Sequence, residues 1–282
     1  MTDAILTARH LTKQFVTRGD GAVFAGTNTF TAVDDVSFEV PRGRTLGIVG
    51  ESGSGKSTTA RIVAKLIEPT SGTLEFDGVD VTTAGRGALA AFRSNVQVVF
   101  QDPFSSLNPR HTVEKIITAP LDYQRITPKG GRKAFVRELL ERVGLNPDHA
   151  QRYPAQFSGG QAQRIGIARA LAVSPKLVIC DEAVSALDVS VQAKVINLLN
   201  SLQAELGLSY VFIAHDLAVV RQIADTVAVM SRGRIVEQGD RDAIFGRPQH
   251  EYTKALLSAV PKIDPEWERR RARMLAEERV GA

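Results

Sequence analysis

The most specific chemical signal in the chain is Gly50-Glu51-Ser52-Gly53-Ser54-Gly55-Lys56-Ser57-Thr58: two glycines flanking four residues, then Lys and Ser. Glycines let a backbone wrap closely and turn its N–H groups inward, where they hold phosphate oxygens. A helix beginning at the loop points its positive end at the same anion. Lys56 then supplies a point charge for the β- and γ-phosphates, and the Ser57 hydroxyl a ligand for Mg²⁺. A Gly/Ser loop can match by chance, but both flanks here are right. The apolar run Leu46-Gly47-Ile48-Val49, suited to a buried strand, precedes it. An apolar-periodic helix follows through Ala60, Ile62, Val63, Ala64, Leu66 and Ile67, closed by Pro69. The segment reads as a nucleoside triphosphate site.

A second chemical group lies at Leu177-Val178-Ile179-Cys180-Asp181-Glu182, an apolar strand ending in two carboxylates. Ligands of open α/β sheets bind beyond the carboxyl ends of strands. Adjacent strand residues point to opposite faces, so the two acids should have different jobs. Asp181 is suited to hold Mg²⁺, mostly through water, and Glu182 to polarise an attacking water. A surface acidic pair after a strand is common, but less so beside a phosphate loop.

The elements that must position these groups follow from periodicity. Before Pro41-Arg42-Gly43 the chain alternates apolar and polar residues, predicting two or three antiparallel strands broken by a loop from Gly19 to Thr29. Strands are expected near Thr73–Phe76 and Val96–Phe100, then helices around Val113–Ile117, Arg132–Val143 and Gly160–Ala172. From Lys176 strands and helices alternate: Leu177–Cys180, Val189–Leu206, Tyr210–Ala214, Asp216–Ile223 and Thr226–Met230. Such alternation predicts an α/β fold with a parallel sheet covered on both faces. The middle of the chain reads as a helical insertion into it.

Phe157-Ser158-Gly159-Gly160-Gln161 precedes a predicted helix and is a second backbone anion site. Alone it is weak, because Ser-Gly-Gly is common in loops. It stands in order with the phosphate loop, Gln101 after its strand, the acidic strand end, Ser185-Ala186-Leu187-Asp188, and His215 at the end of Tyr210–Ala214. That series resembles the phosphate loop, Q-loop, signature, acidic strand, D-loop and switch histidine of the ABC ATPases. A lone strand-end His is usually structural; the order favours function. The resemblance covers nearly the whole chain. It narrows to the oligopeptide and dipeptide importer ATPases on Val98-Val99-Phe100-Gln101-Asp102-Pro103, Ser105-Ser106-Leu107-Asn108-Pro109-Arg110 and His250-Glu251-Tyr252-Thr253-Lys254-Ala255-Leu256-Leu257. That group also contains importers of nickel and other small solutes.

The resemblance implies a RecA-like phosphate-loop core with an N-terminal antiparallel β subdomain and an inserted helical subdomain. The ATPase domain would span residues 1–246, with the insertion at about 102–172 and a C-terminal helical extension at 247–282. Such ATPases act as head-to-tail dimers, each ATP lying between one phosphate loop and the other chain's signature. Phe15 would stack on adenine, the plainer alternative being a core strand residue. Gly50, Glu51, Ser52, Gly53, Ser54, Gly55, Lys56, Ser57 and Thr58 would cradle the phosphates. Ser57 and Gln101 would hold Mg²⁺, with Asp181 acting through water. Glu182 would be the general base and His215 a γ-phosphate contact. Ser158, Gly159, Gly160 and Gln161 would act in trans, and Asp188 would belong to the nucleotide site through the D-loop. The implied partners are two transmembrane permease subunits, a second ABC ATPase (a related chain rather than a copy) and, through the permeases, an extracytoplasmic substrate-binding protein. The implied location is peripheral, on the cytoplasmic face of the membrane.

Three departures from the family pattern matter. Phe157 stands where Leu is commoner. Ala162 replaces a frequent Arg, removing a charge near the dimer contact, and Ala183 replaces a Pro, loosening the turn toward Ser185. With Cys180 the only cysteine, neither an internal disulfide nor a cysteine-held cluster is expected. The net charge of +4 is interspersed, so composition gives no argument for nucleic acid. A soluble ABC ATPase acting on DNA or ribosomes would need a long heptad insertion or a second phosphate loop, and neither is present. A regulatory subunit without turnover is disfavoured by Glu182 and His215. No basic-then-apolar leader opens the chain and no apolar run nears the roughly 20 residues of a membrane span. The charge-rich segment Pro265–Val280 reads as an exposed helix.

Overall fold

The computed structural model describes residues 3–18 and 27–259. The Gly-rich loop over 19–26 and the charge-rich segment Pro265–Val280 lie outside the described residues.

Two sheets organise the chain. Strands β1 (Ala4–Arg18), β2 (Thr27–Pro41), β4 (Ser71–Phe76) and β5 (Val79–Asp80) form an antiparallel sheet in the order β2-β1-β4-β5. The second sheet contains β3 (Thr45–Val49), β6 (Val96–Val99), β7 (Leu177–Asp181), β8 (Ser209–Ala214), β9 (Thr226–Ser231) and β10 (Arg234–Asp240), in the order β10-β9-β3-β8-β7-β6. It is parallel except for β10, which pairs antiparallel with β9. The parallel expectation holds for β3, β6, β7, β8 and β9, and β10 adds an antiparallel edge strand. The cause is local: Arg232 and Gly233 both take positive φ (49° and 84°), making the two-residue hairpin turn that sends the chain straight back.

The apolar runs of β3, β7 and β8 are buried on both faces, as strands between two layers must be. Their alternate residues feed different cores. Leu46, Ile48, Leu177, Ile179, Val211 and Ile213 pack toward the antiparallel sheet and helix α1 (Lys56–Val63). Val178, Cys180, Tyr210 and Phe212 face the opposite way. There they meet helices α6 (Gly159–Leu171), α7 (Val189–Leu206) and α8 (Leu217–Ile223). Cys180 is fully buried and its thiol is pushed up to about 12 by burial, which leaves it an inert core residue.

Helices α2 (Arg86–Asn95), α3 (Pro103–Ser106), α4 (Val113–Gln124) and α5 (Arg132–Arg142) lie between β5 and α6. Of these α4 runs seven residues beyond the predicted Ile117, straight through Pro120. Burial of Ile116, Ile117 and Leu121 carries it past the lost backbone bond. Conversely α1 stops at Val63 rather than Ile67, because Lys65 adopts φ 53° and ends the helix. Its ammonium is buried, bonded to Thr82 O at 2.8 Å and paired with Glu68. After β10 come α9 (Arg241–Gly246) and α10 (Glu251–Ser258).

Candidate nucleotide-binding site

Four neighbouring parallel strands end side by side, and each delivers one piece of the site. The phosphate loop follows β3, His215 follows β8, Asp181 and Glu182 end β7, and Gln101 follows β6. The strand order makes this grouping, since residues 50, 101, 182 and 215 are far apart in sequence.

The loop turns tightly onto α1. Gly55 takes φ 102° at the N-cap, and a Cβ there would come within 2.5 Å of the Ala32 carbonyl oxygen. Lys56, the first residue of the helix, is 4% exposed. Its ammonium donates to the Gly50 and Glu51 carbonyls at 2.8 and 2.7 Å. Burial lowers its pKa, while the charges of Glu182, Asp181 and Glu51 oppose that shift. No carboxylate of the described residues lies within ion-pair distance of it. A buried cation without a counter-ion costs on the order of several kcal/mol, so the cradle is built for an arriving anion. The Ser54 hydroxyl in the same loop is buried without a hydrogen-bond partner among the described residues.

The Ser57 hydroxyl donates to Asp181 Oδ1 at 3.0 Å. Burial raises the Asp181 pKa, the Ser57 bond lowers it, and the neighbouring Glu182 charge raises it again. A hydroxyl against a carboxylate whose negative charge is poorly solvated is a hard-oxygen pair that a divalent cation would stabilise. The donor set therefore fits Mg²⁺ through Ser57 and Asp181. Gln101 is exposed at the end of β6, on the side of β7 away from β8.

Glu182 adopts φ 51°, which costs a non-glycine residue roughly 1–2 kcal/mol. Three bonds hold it there. Its N–H donates to Ile213 O at 3.0 Å, and its carbonyl accepts from Ser185 N at 3.1 Å and Ser185 Oγ at 2.9 Å. The turn that Ala183 was expected to loosen is tied by these bonds, and Ala183 is itself buried. The Glu182 carboxylate lines a cavity of about 220 Å³ with Phe30, Ala32, Ser52, Gly53, Gly55, Lys56, Ser57 and Thr58. His215 Nδ1 lies 3.9 Å from Glu182 Oε2, with its side chain 56% exposed.

Phe30 escaped the sequence reading. It is 60% exposed and lines this cavity, whereas Phe15 does not. The two are direct cross-strand partners in β1 and β2 and so share a face. The Lys13 ammonium sits 5.3 Å from the Phe15 ring centroid. Phe15 is thus an exposed strand residue rather than a core one.

The second anion segment is elsewhere. None of Ser158, Gly159, Gly160 and Gln161 lines the cavity around Lys56. Ser158 caps α6 with a reciprocal pair: Ser158 N donates to Gln161 Oε1 at 3.0 Å, and Gln161 N donates to Ser158 Oγ at 3.4 Å. Gly160 is required by packing, since a Cβ would meet Val191 Cγ1 at 2.4 Å. Asp188 is exposed at the N-cap of α7. Ala162 is fully buried and packs in the core beneath α6. Gln163, also buried, donates from Nε2 to Phe100 O at 3.3 Å and ties α6 to the strand end before Gln101.

A glycine-rich loop with buried Lys56 sharing a cavity with Glu182, Ser57 bonded to Asp181 beside it, and a separately capped helix start at Ser158-Gly159-Gly160-Gln161 fit the pattern of an ABC-type ATPase. The chain matches the ABC transporter family over residues 33–185. It also matches the oligopeptide/dipeptide transporter C-terminal region over residues 236–280. It is 51% identical to the oligopeptide transport ATP-binding protein OppF of Bacillus subtilis, covering 97% of this chain and 88% of that protein. It is 49% identical to the glutathione import ATP-binding protein GsiA of Escherichia coli, over 98% of this chain and 44% of that protein. Among solved structures, the dimeric bacterial ABC transporter cassette MJ0796 superposes with a TM-score of 0.72 at 28% identity, covering 84% of this chain and 98% of that one. A post-hydrolysis state of MJ0796, bound to ADP and Pi, superposes equally well. CbiO1 of Clostridium perfringens gives a TM-score of 0.74 at 27% identity, over 93% of this chain and 97% of that one. The chain belongs to the ABC transporter family, among the ATP-binding subunits of its oligopeptide/dipeptide branch. Among the described residues, no helix is long and apolar enough to cross a membrane.

Proposed function

We propose that this chain hydrolyses ATP in a site shared with a second, related ABC ATPase, and so drives import of short peptides through two permease subunits. The carrying observation is Lys56, a buried ammonium without a carboxylate partner, beside the Glu182 carboxylate. The shared arrangement is supported by the dimer that the similar cassette MJ0796 forms. In such an arrangement the other chain's Ser158, Gly159, Gly160 and Gln161 close the site, their helix start offering N–H groups to the γ-phosphate. Asp188 lies beside that contact.

In this reading Phe15 and Phe30 take the adenine face. The N–H groups from Gly53 to Thr58 and the Lys56 ammonium bind the phosphates, with Gly50, Glu51, Ser52 and Ser54 shaping the loop. Ser57 and Gln101 would hold Mg²⁺, with Asp181 in support through water, and the ion would supply positive charge against the phosphates. Glu182 takes a proton from the attacking water, and His215 contacts the γ-phosphate. Nothing covalent is asked of the protein; positioning and charge carry the catalysis. Release of phosphate removes the bridge between the chains, and α3 to α6 pass that motion to the permeases. The ATPase domain spans 1–246 and the C-terminal extension begins at 247, its described helix α10 packed on the ATPase core through Tyr252, Leu256 and Leu257. The chain then works peripherally at the cytoplasmic face, with an extracytoplasmic binding protein selecting cargo and no nucleic acid involved.

The test is purification of the tagged chain from detergent-solubilised membranes, followed by uptake assays in cells lacking it. Two multi-span proteins and a second ABC chain should co-purify, and uptake of short peptides should fail. Recovery of only ribosomal or DNA-associated proteins would overturn the transport reading. Intact peptide uptake with lost nickel uptake would overturn the cargo.

A further inference from the structure

Helix α10 is clipped to the ATPase core at two points. Its start is fixed from β10, where Glu237 accepts the N–H groups of Gln249 and His250 at 2.7 and 3.0 Å. His250 Nδ1 then accepts the N–H of Tyr252 at 3.1 Å. Tyr252 lies half-buried against the core, with Leu256 and Leu257 one turn on. Its hydroxyl reaches back 201 positions in sequence and accepts the Glu51 backbone N–H at 3.1 Å.

That N–H belongs to the Gly50–Glu51 peptide, and the carbonyl of the same peptide accepts the Lys56 ammonium at 2.8 Å. A single amide plane is therefore gripped by Tyr252 on its donor edge and carries Lys56 on its acceptor edge. The plane is rigid and trans, so fixing the direction of the N–H fixes the direction of the C=O. Bonds at the two ends of one amide also polarise and strengthen each other. The restraint matters because Gly50 sits on one side of the plane, and glycine leaves rotation of the neighbouring peptide cheap. Gly50 itself cannot be replaced to stiffen the loop, since a Cβ would lie 2.1 Å from Met230 O. The stiffening has to come from outside the loop, and Tyr252 supplies it.

We propose that Tyr252 is a positioning residue for ATP: by fixing the Gly50–Glu51 peptide it places the carbonyl on which Lys56 rests, and so couples α10 to nucleotide binding. This rests on the ATP site described above. With Tyr252 in place, Lys56 waits in the cradle and swings a short way to the phosphates. Without the hydroxyl, the peptide rotates, Lys56 loses a resting acceptor, and each binding event must reorder the loop.

The experiment compares Tyr252→Phe and Tyr252→Ala in the full chain, reading ATP turnover and nucleotide-free melting. Tyr252→Phe keeps the ring and its packing and removes only the oxygen. It is expected to raise KM for ATP about 3- to 10-fold, the worth of one hydrogen bond, with kcat within about twofold. Its melting temperature should stay within about 2 °C of the parent, whereas Tyr252→Ala should melt clearly lower. An unchanged KM in Tyr252→Phe would overturn the proposal, as would a melting loss in Tyr252→Phe equal to that of Tyr252→Ala. Failure of the underlying ATP reading would look different: the unmodified chain would show no saturable ATP dependence, and Lys56→Ala would not change it.

Discussion

Ser57 Oγ lies 3.0 Å from Asp181 Oδ1, joining the first turn of α1 to the end of β7 across 124 residues of sequence. Between their strands runs β8, so the contact exists only because β3, β8 and β7 are parallel neighbours. Burial holds the Asp181 pKa above its usual value and the Glu182 charge adds to the shift, while the Ser57 bond opposes it.

Asp181→Asn should therefore leave the nucleotide-free protein as stable as the parent at pH 7, or more so. The sign follows from linkage. With the folded pKa raised, the native state keeps its proton where the unfolded chain has lost it, so stability falls as pH rises through that window. The cost is fully present above the folded pKa and absent below the unfolded value of about 3.9. Melting of both proteins between pH 3 and pH 8 checks this; a variant that melts lower at pH 7 contradicts it. Hydrolysis by the variant should fall on the order of 100-fold or more.

Lys56→Ala removes the one buried cation of the cradle. ATP binding by calorimetric titration should weaken on the order of 100-fold, in line with loss of a charge-assisted contact worth about 1.5–3 kcal/mol or more once buried. Unchanged affinity would remove the loop from the phosphate site.

Phe30→Ala and Phe15→Ala separate the two aromatic candidates. Stacking on a base is worth about 1–3 kcal/mol, or roughly 5- to 150-fold in affinity. The residue that meets adenine should lose that much for ATP and nothing for inorganic triphosphate. Lining of the cavity by Phe30 places the larger effect there.

Much of this site was legible in the sequence because its signals are local. The phosphate loop, the carboxylates after β7 and the ends of β3, β7 and β8 depend on runs of adjacent residues, and burial on both faces makes those strands uniformly apolar. What stayed hidden depends on register or on single backbone angles. Phe30 becomes a cavity residue only through its pairing with Phe15. The end of α1 turns on the φ of Lys65, and the reversal into β10 on Arg232-Gly233. Helix α2 begins in Gly85-Arg86-Gly87, which reads as loop, and Phe92 is its only buried residue.

Gln163→Leu tests the tie between α6 and the Q-loop strand. The Phe100 carbonyl would lose its donor, costing about 1–3 kcal/mol, and the melting temperature should fall by a few degrees. Stimulation of ATPase by the reconstituted permeases should fall more than the basal rate does. An equal loss in both would assign Gln163 to stability alone.

The central claim is that Glu182 is the base of an ATPase site, and Glu182→Gln tests it most directly. The change keeps the size of the side chain and removes its charge beside Lys56. ATP affinity by titration and turnover by phosphate release should be measured on the same preparation. The account predicts affinity within a few-fold of the parent and turnover lowered on the order of 100- to 10,000-fold, the range general-base loss produces. Near-normal turnover by the variant would contradict it.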